Sequence, residues 1–459
     1  MTASASERED NQVCQEPAVI PSRSITPSQI DADALKVVRR LQRFGHLAYL
    51  VGGCVRDLLL KRSPKDFDVA TSAKPNEIRK VFRNCRLIGR RFRLAHIHFQ
   101  GKIIETATFR AELRQNPEGD LLIRSDNEFG DERADAFRRD FTINALFYDP
   151  VAKQLIDYTD GLEDLVERKL RFIGQPSIRV QEDPVRILRA IKFAARLDFC
   201  MDEETWRAIC DYREELKKAA PPRLLEEIQR MLRSGAAEAS FRLLWESGVM
   251  EVLLPEVAHY LARSPERGEE REPGVGLWAY LRALDKLGDR DMLTNSVLLA
   301  GLVLHPVLDA AACAGEGYGL QFETKAVGEV ARAMVRPWVE RIRLPKWESE
   351  RIQQILAGQK RLVKLRTNAS IPKGLLRRND FPEILDLFEL YVRATGKDRR
   401  KLAHMRKTLM RSANRSPNLK GTLGDGQAAS ERKKRPPRRR HGGRRRKPAF
   451  QPSAPTSKG

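Results

Sequence analysis

Asp66 and Asp68 stand on either side of Phe67. In an extended segment residues i and i+2 project from one face, so both carboxylates aim at one point while Phe67 packs on the other side. Two like charges held that close repel unless a cation lies between them. Mg²⁺ takes oxygen ligands from one or two carboxylates plus substrate phosphates, which this pair supplies, and Mn²⁺ is the alternative ion. The competing reading is a solvated strand end beside Lys65, because D-x-D arises often by chance.

A second feature precedes the acids. Gly52-Gly53 separates Ala48–Val51, which reads as a strand, from a helical stretch between Val55 and Leu60 that carries Arg56 and Asp57. Such a turn offers free backbone amides and the positive end of a helix to a phosphate. Without a Cβ the backbone can also approach a triphosphate closely. Alone, a Gly-Gly turn is equally a device for tight packing; joined to the acid pair thirteen residues on, it becomes far more specific.

Positioning these residues takes a small α/β unit. Ala34, Leu35, Val38 and Leu41 recur at helical spacing, with Asp31 or Asp33 as N-cap. Strands are expected at 48–51, 65–69, 94–99 and 102–109, with helices at 55–60 and 75–84, and residues 111–137 read as a polar loop. From about residue 180 helices dominate, at 183–196, 203–218, 222–233, 237–247, 276–288, 293–304, 320–341, 346–365 and 380–412. Ser264–Pro273 is a charged loop between two of them. Residues 1–30 read as a flexible lead-in and 416–459 as a disordered Arg/Lys-rich tail.

Composition narrows the partners. The 459 residues carry 84 Lys and Arg against 62 Asp and Glu, a net +22 that points to a polyanion, nucleic acid before anionic membrane. Half of that excess lies in residues 416–459, with 13 basic and 2 acidic side chains. The longest apolar run, Val297 to Leu304, is far short of the ~20 residues of a spanning helix, and no secretory signal opens the chain. Six cysteines, at 14, 54, 85, 200, 210 and 313, form no C-x-x-C pair and no zinc spacing, which suits a reduced, cytoplasmic compartment. No His-Asp dipeptide is present, which argues against an HD-type phosphohydrolase. No heptad stands out, so a monomer is the default.

Leu50-Val-Gly-Gly-Cys-Val-Arg-Asp-Leu-Leu59, followed by Asp66-Phe-Asp68, resembles the head motif of the class II nucleotidyltransferases of the polymerase β superfamily, which include bacterial poly(A) polymerases and CCA-adding enzymes. Arg138-Arg-Asp-Phe-Thr-Ile-Asn-Ala145 is similar to the second motif of that family and Glu182-Asp-Pro-Val-Arg-Ile-Leu-Arg-Ala190 to the third. The motifs span about residues 31–250, and the remainder to about 415 matches only as a helical body. Cys54 departs from the small residue, usually Gly or Ala, expected at its place. Leu87-Ile-Gly-Arg-Arg-Phe-Arg-Leu-Ala-His-Ile97 and Pro222-Arg-Leu-Leu-Glu-Glu227 resemble the poly(A) versions of stretches that differ in CCA-adding enzymes. The basic tail after a helical body also looks like the poly(A) polymerase arrangement.

The resemblance implies an α+β fold: a polymerase-β-like head (31–150), a helical neck that recognises nucleotide (151–240), a helical body that binds RNA (241–415) and the basic tail. It implies template-independent transfer of AMP from ATP to RNA 3′ ends with Mg²⁺ or Mn²⁺, promoting RNA decay in bacteria, with RNA-decay proteins as partners. CCA addition to tRNA is the alternative, and a noncatalytic RNA-binding scaffold a distant one. Asp66 and Asp68 would hold the metal. Asp140 is taken as the third acid with Glu105 second; Asp140 could instead hold the ribose hydroxyls or orient Arg139. Gly52, Gly53, Arg56, Arg139, Arg186, Arg189 and Arg230 would contact the nucleotide. Arg186 and Arg189 share a helix face and could instead pair with Glu182, and Arg230 with Glu226 could be a base reader or a plain i, i+4 bridge. Arg90 and Arg91 suit triphosphate, primer backbone or a solvated turn, whereas His96 and His98 read as packing or hydrogen-bonded histidines. RNA held mainly through phosphates by body and tail would bind in a strongly salt-dependent way.

Overall fold

The computed structural model describes residues 17–21, 24–89, 93–111, 128–262, 275–313, 320–365 and 371–415. Expectations for Arg90 and Arg91, most of the 111–137 loop, the Ser264–Pro273 loop, the start of the lead-in and the 416–459 tail lie outside the described residues. Contacts gather residues 1–407 into one unit and 408–459 into a second.

The first elements are β1 (Ala18–Pro21), α1 (Ala32–Arg43), β2 (Ala48–Val51), α2 (Gly53–Leu59), β3 (Asp68–Thr71), α3 (Pro75–Val81), β4 (Cys85–Ile88), β5 (Leu94–Phe99), β6 (Lys102–Thr108), α4 (Glu132–Phe137), β7 (Phe147–Asp149) and β8 (Gln154–Asp157). The strands form one eight-stranded sheet in the order β1-β8-β7-β2-β3-β6-β5-β4. Its pairs are antiparallel except β3 with β6.

Alternation gives this sheet two faces of different character. Ala48, Leu50, Val69, Ala95, Ile97 and Ile104 point to one side and are buried under Val37, Val38 and Leu41 of α1, Val55 and Leu58 of α2 and Ile78 of α3. On the other side Tyr49, Val51, Ala70, Phe109, Phe147 and Ile156 pack with Ala136 of α4. That second core covers only half the face. Where it stops, the outward residues of the next strands become Asp68, His96 and Glu105, which are polar and reach solvent.

After the sheet come α5 (Gly161–Glu167), β9 (Lys169–Leu170), α6 (Pro176–Glu182), α7 (Val185–Leu197), β10 (Cys200–Met201), α8 (Glu203–Asp211), α9 (Pro221–Arg233), α10 (Ala237–Glu246), α11 (Val249–Leu253) and α12 (Pro255–Ala262). They are followed by α13 (Val275–Asp285), α14 (Asn295–Cys313), α15 (Leu320–Arg341), α16 (Lys346–Lys364), α17 (Lys373–Leu376), α18 (Phe381–Thr395) and α19 (Arg399–Arg415). The α+β head followed by helices is the architecture expected.

Differences from the sequence reading are local. β1, inside the supposed lead-in, pairs with β8 although its side chains are exposed, so backbone hydrogen bonding rather than burial holds it. β8 carries the sheet past residue 150 to Asp157. The acid-bearing strand starts at Asp68 rather than Lys65, leaving Asp66 in the approach to it. The expected 203–218 helix gives way at Arg213–Lys218 to a 3-10 turn. The 380–412 helix breaks at Gly396, whose φ of +70° caps α18. No described helix is long and apolar enough to cross a membrane.

Phe141 joins the sheet to the helices. It is fully buried, stacks on Phe172 at 5.1 Å and meets Phe193 of α7 edge-on at 5.6 Å. Phe141→Ala is expected to cost about 3–5 kcal/mol through the cavity it leaves. The measurement is the loss of melting temperature against wild type.

Candidate active site

Asp68 leads β3, with Val51 of β2 opposite on one side and Glu105 of β6 on the other. Phe67 packs against the first core, so its two acidic neighbours are free of it, as the i, i+2 argument requires. Asp66 and Asp68 are both exposed, and among the described residues no donor reaches either carboxylate. The Asp68 carboxyl is nevertheless pushed up to about 6: on the sheet face that the second core leaves open, surrounding protein desolvates it, and Glu105 adds repulsion. Arg139 partly offsets this, and Asp66 adds to it.

Gly52 has φ +74° and ψ −130°, a conformation strained for any residue with a Cβ. A Cβ there would stand 3.2 Å from an Nη atom of Arg139. The turn's chemistry is therefore concrete: glycine makes room for Arg139. α2, only seven residues long, makes a small dipole. Arg139 is anchored by Asp135, which accepts from Nε at 3.2 Å and Nη2 at 2.7 Å, and its guanidinium lies over Phe147, 5.5 Å from the centroid. Burial works to raise the Asp135 carboxyl, but Arg139 and Arg138 hold it below its ordinary value.

Arg56, the expected nucleotide contact beside the turn, is engaged within the protein. It is 3% exposed, donates to Asp57 Oδ1 from Nε at 2.8 Å and Nη2 at 2.6 Å and to Asn144 Oδ1 at 2.6 Å, and lies over Phe193. It braces the turn from inside. A Cβ on Gly53 would lie 3.6 Å from its Nη2, so the second glycine fits the same brace. Asn144 links the two arginines, since its carbonyl accepts from Arg139 Nη1 at 3.4 Å.

Asp140 belongs to a different set. Its Oδ1 accepts from Arg186 Nε at 2.8 Å and its Oδ2 lies 2.8 Å from Arg189 Nη2. Burial works to raise this carboxyl, but Arg189 and Arg186 hold it below its ordinary value. Arg186, nearly buried, also donates to Glu182 at 2.7 Å. Arg179 pairs with the same Glu182 and donates from Nη2 to the carbonyls of Arg138 at 2.9 Å and Arg139 at 2.7 Å. This lattice fixes the chain at Arg139 and Asp140 against α6 and α7. Arg189, with a side chain 38% exposed, is its member open to solvent.

Arg230 forms the i, i+4 bridge to Glu226 at 2.6 Å and also reaches Glu227 at 3.1 Å. Glu227 is buried and takes Lys192 Nζ, joining α9 to α7. Arg230 is itself 57% exposed, so a bridge and an outward-facing donor coexist. Cys54 carries no reactive thiol: burial pushes it up to about 12, and its Sγ donates to Val51 O at 3.3 Å.

Sequence reasoning missed Asp135, Asn144, Arg179, Lys192 and Phe193. Asp135 had a signal, the i, i+4 spacing to Arg139. Arg179 had one too, the i, i+3 spacing to Glu182; the others act across elements.

The all-oxygen acid pair, with no donor of its own and mutual repulsion to relieve, fits a hard divalent cation. Among the described residues no three His, Cys, Asp or Glu side chains converge as a complete ligand set. Further oxygens must then come from substrate or water, as Mg²⁺ sites ordinarily arrange. A carboxylate row for a cation, a glycine turn clearing an arginine and an adjoining arginine lattice define a nucleotidyltransferase.

The family models agree. Residues 48–171 match the "Poly A polymerase head domain" and residues 198–261 the "Probable RNA and SrmB- binding site of polymerase A". The chain is 43% identical over 293 residues to poly(A) polymerase I of Haemophilus influenzae, covering 62% of this chain and 64%, just under two thirds, of that protein. It is 36% identical over 371 residues to poly(A) polymerase I of Escherichia coli, covering 74% and 79%. Among solved structures, the Bacillus stearothermophilus CCA-adding enzyme in complex with CTP shares the fold, with TM-score 0.59 and 24% identity over 86% of this chain and 84% of that one. The chain belongs to the poly(A) polymerase family, and its head is that of a polynucleotide adenylyltransferase.

Two outcomes follow from the geometry. Because the folded state raises the Asp68 carboxyl, ionised Asp68 opposes folding. Asp68→Asn should raise the melting temperature of metal-free protein, with a gain that grows as pH rises from about 3.8 to about 6 and then stays constant. Melts in EDTA at pH 5 and 8 check it, the larger gain being at pH 8. Gly52→Ala should displace Arg139 and lower kcat/KM for ATP roughly 100-fold, the order of effect expected of a misplaced positioning group, read from steady-state kinetics.

Proposed function

We propose that this protein adds AMP from ATP to RNA 3′ ends without a template, as a bacterial-type poly(A) polymerase whose tails promote RNA decay. The observation that carries the reading is the acid row of Asp68 and Glu105, with Asp66 beside it, on the half of the sheet face that the second core leaves open, next to Arg139. The named relatives support the choice of ATP. A cytoplasmic monomer working with RNA-decay proteins suits a chain without a described membrane-spanning helix.

In this reading Asp66 and Asp68 hold Mg²⁺, or Mn²⁺, which when bound neutralises phosphate charge and lowers the pKa of a coordinated hydroxyl. Glu105 is the acid beside Asp68 and acts by its charge. Asp140 serves the nucleotide by fixing Arg186 and Arg189 rather than by joining the metal pair, which reverses the order of the two acids taken from sequence. Arg139, cleared by Gly52, and Arg189 at the open end of the lattice neutralise the triphosphate. The primer 3′ oxygen attacks the α-phosphorus, its proton is lost, and the bond to the leaving pyrophosphate breaks. Arg230 on α9 offers donors to the base edge, with Glu226 and Glu227 holding its guanidinium plane. The neck (151–240) would recognise nucleotide and the body (241–415) RNA; the 198–261 match supports a role in RNA binding at their junction.

CCA addition is the second reading, favoured by a 37% identity over 224 residues to a Bacillus licheniformis CCA-adding enzyme, covering 48% of this chain and 55% of that protein. Incubating the protein with a generic RNA primer, Mg²⁺ and ATP alone or CTP alone separates the two. A long ladder with ATP and little with CTP is expected. A few additions that need CTP and a tRNA-like end would assign CCA repair instead. Asp66→Ala and Asp68→Ala should each lower kcat by about 10³-fold or more, several kcal/mol of barrier, with RNA binding retained in filter assays.

A further inference from the structure

Four strands contribute one residue each to a single polar row. Arg86 of β4 pairs with His96 of β5, His96 with Glu105 of β6, and Glu105 with Asp68 of β3. The sequence neighbours Ala95, Ile97, Ile104 and Val69 point the opposite way into the first core, so the row lies on the cleft face. Its members differ in freedom. Glu105 has a side chain 52% exposed and, by itself, free to swing; that of His96 is 18% exposed, seated in the sheet. His96 Nε2 stands 3.6 Å from Glu105 Oε1. Directly opposite residues are the pairs through which a sheet fixes its side chains. Among the described residues, the other groups facing His96 are exposed Arg86 across β4 and the His98 ring at 6.4 Å on its own strand.

A glutamate acts on its neighbour by Coulomb's law, and that action fades when the carboxylate rotates into water. We propose that His96 is a positioning residue that holds the Glu105 carboxylate beside Asp68, so that three negative charges rather than two face the divalent cation. The inference rests on the reading of Asp66 and Asp68 as the metal-holding pair. It gives a role to a histidine that the sequence reads as a packing or hydrogen-bonded one. It also gives a role to Glu105, which completes no ligand set among the described residues.

The test is Mn²⁺ binding to the full chain, followed by the electron paramagnetic resonance of free Mn²⁺, for His96→Ala, His96→Gln, Glu105→Gln and the His96→Ala/Glu105→Gln pair, with thermal melts to show that each is folded. His96→Ala should weaken Mn²⁺ roughly 10-fold, as loss of a partner behind a metal site does. His96→Gln, whose amide can donate to Glu105, should recover most of that loss. In the Glu105→Gln background His96→Ala should add nothing. An unchanged affinity in His96→Ala, or an equal loss in both backgrounds, overturns the positioning role. Asp68→Asn, measured alongside, separates the two ideas. If it leaves Mn²⁺ binding unmoved, the metal-pair reading has failed and the inference with it. If it abolishes binding while His96→Ala does nothing, only the positioning role falls.

Discussion

Register is the constraint on which the site depends. Val51, Asp68 and Glu105 lie side by side on β2, β3 and β6, and because side chains alternate, each is followed by a core residue, or preceded by one, on the opposite face. A slip of one residue in β3 would drive Asp68 into the first core and bring Val69 to the cleft. Burial of Leu50, Val69 and Ile104 therefore does more than stabilise the head. It specifies which way the carboxylates point, and so concentrates charge where the second core stops.

That concentration is unfavourable in the metal-free protein. The raised Asp68 carboxyl expresses the cost, which desolvation and Glu105 impose and Arg139 only partly relieves. Such a site gains when a cation enters, which couples binding to the relief of repulsion. The same low-dielectric logic governs the neighbouring lattice with the opposite outcome. Asp140 and Glu182 are matched by Arg179, Arg186 and Arg189, so these charges are compensated and rigid. One set is left uncompensated and the other is matched by arginines. They meet at consecutive residues, Arg139 and Asp140, and Arg179 grips the carbonyls of Arg138 and Arg139 just before Asp140.

The join between head and helices has a similar economy. Phe193 of α7 receives Phe141 on its edge, and the guanidinium of Arg56 lies 5.3 Å from its ring centroid. Arg56 in turn holds Asn144, whose carbonyl touches Arg139. Packing in α7 of the neck is thus continuous with the arginine that faces the acids, through contacts that are each buried or half-buried.

The chain's local chemistry was legible without coordinates. D-x-D at strand spacing, the glycine turn, the helical period of α7 and α9 and the i, i+4 bridge of Arg230 each depend on residues near one another in sequence, where backbone geometry alone fixes the relation. The head's α+β class and the long helices after it were legible for the same reason. What tertiary structure decided was partnership across elements. Arg56 is named for the nucleotide by its motif, and only folding shows its bonds to Asp57 and Asn144. Asp140 and Glu105 could not be ranked from sequence, because one lies opposite Asp68 only through strand pairing and the other meets Arg186 and Arg189 only when α7 docks. β1, with no buried side chain, carries no hydrophobic pattern to read; only its backbone pairing with β8 makes it a strand. Sequence determined which groups were available and which local geometry they share. Long-range packing decided which charges stand uncompensated, and in this protein that distinction separates Asp66 and Asp68 from Asp140 and Glu182.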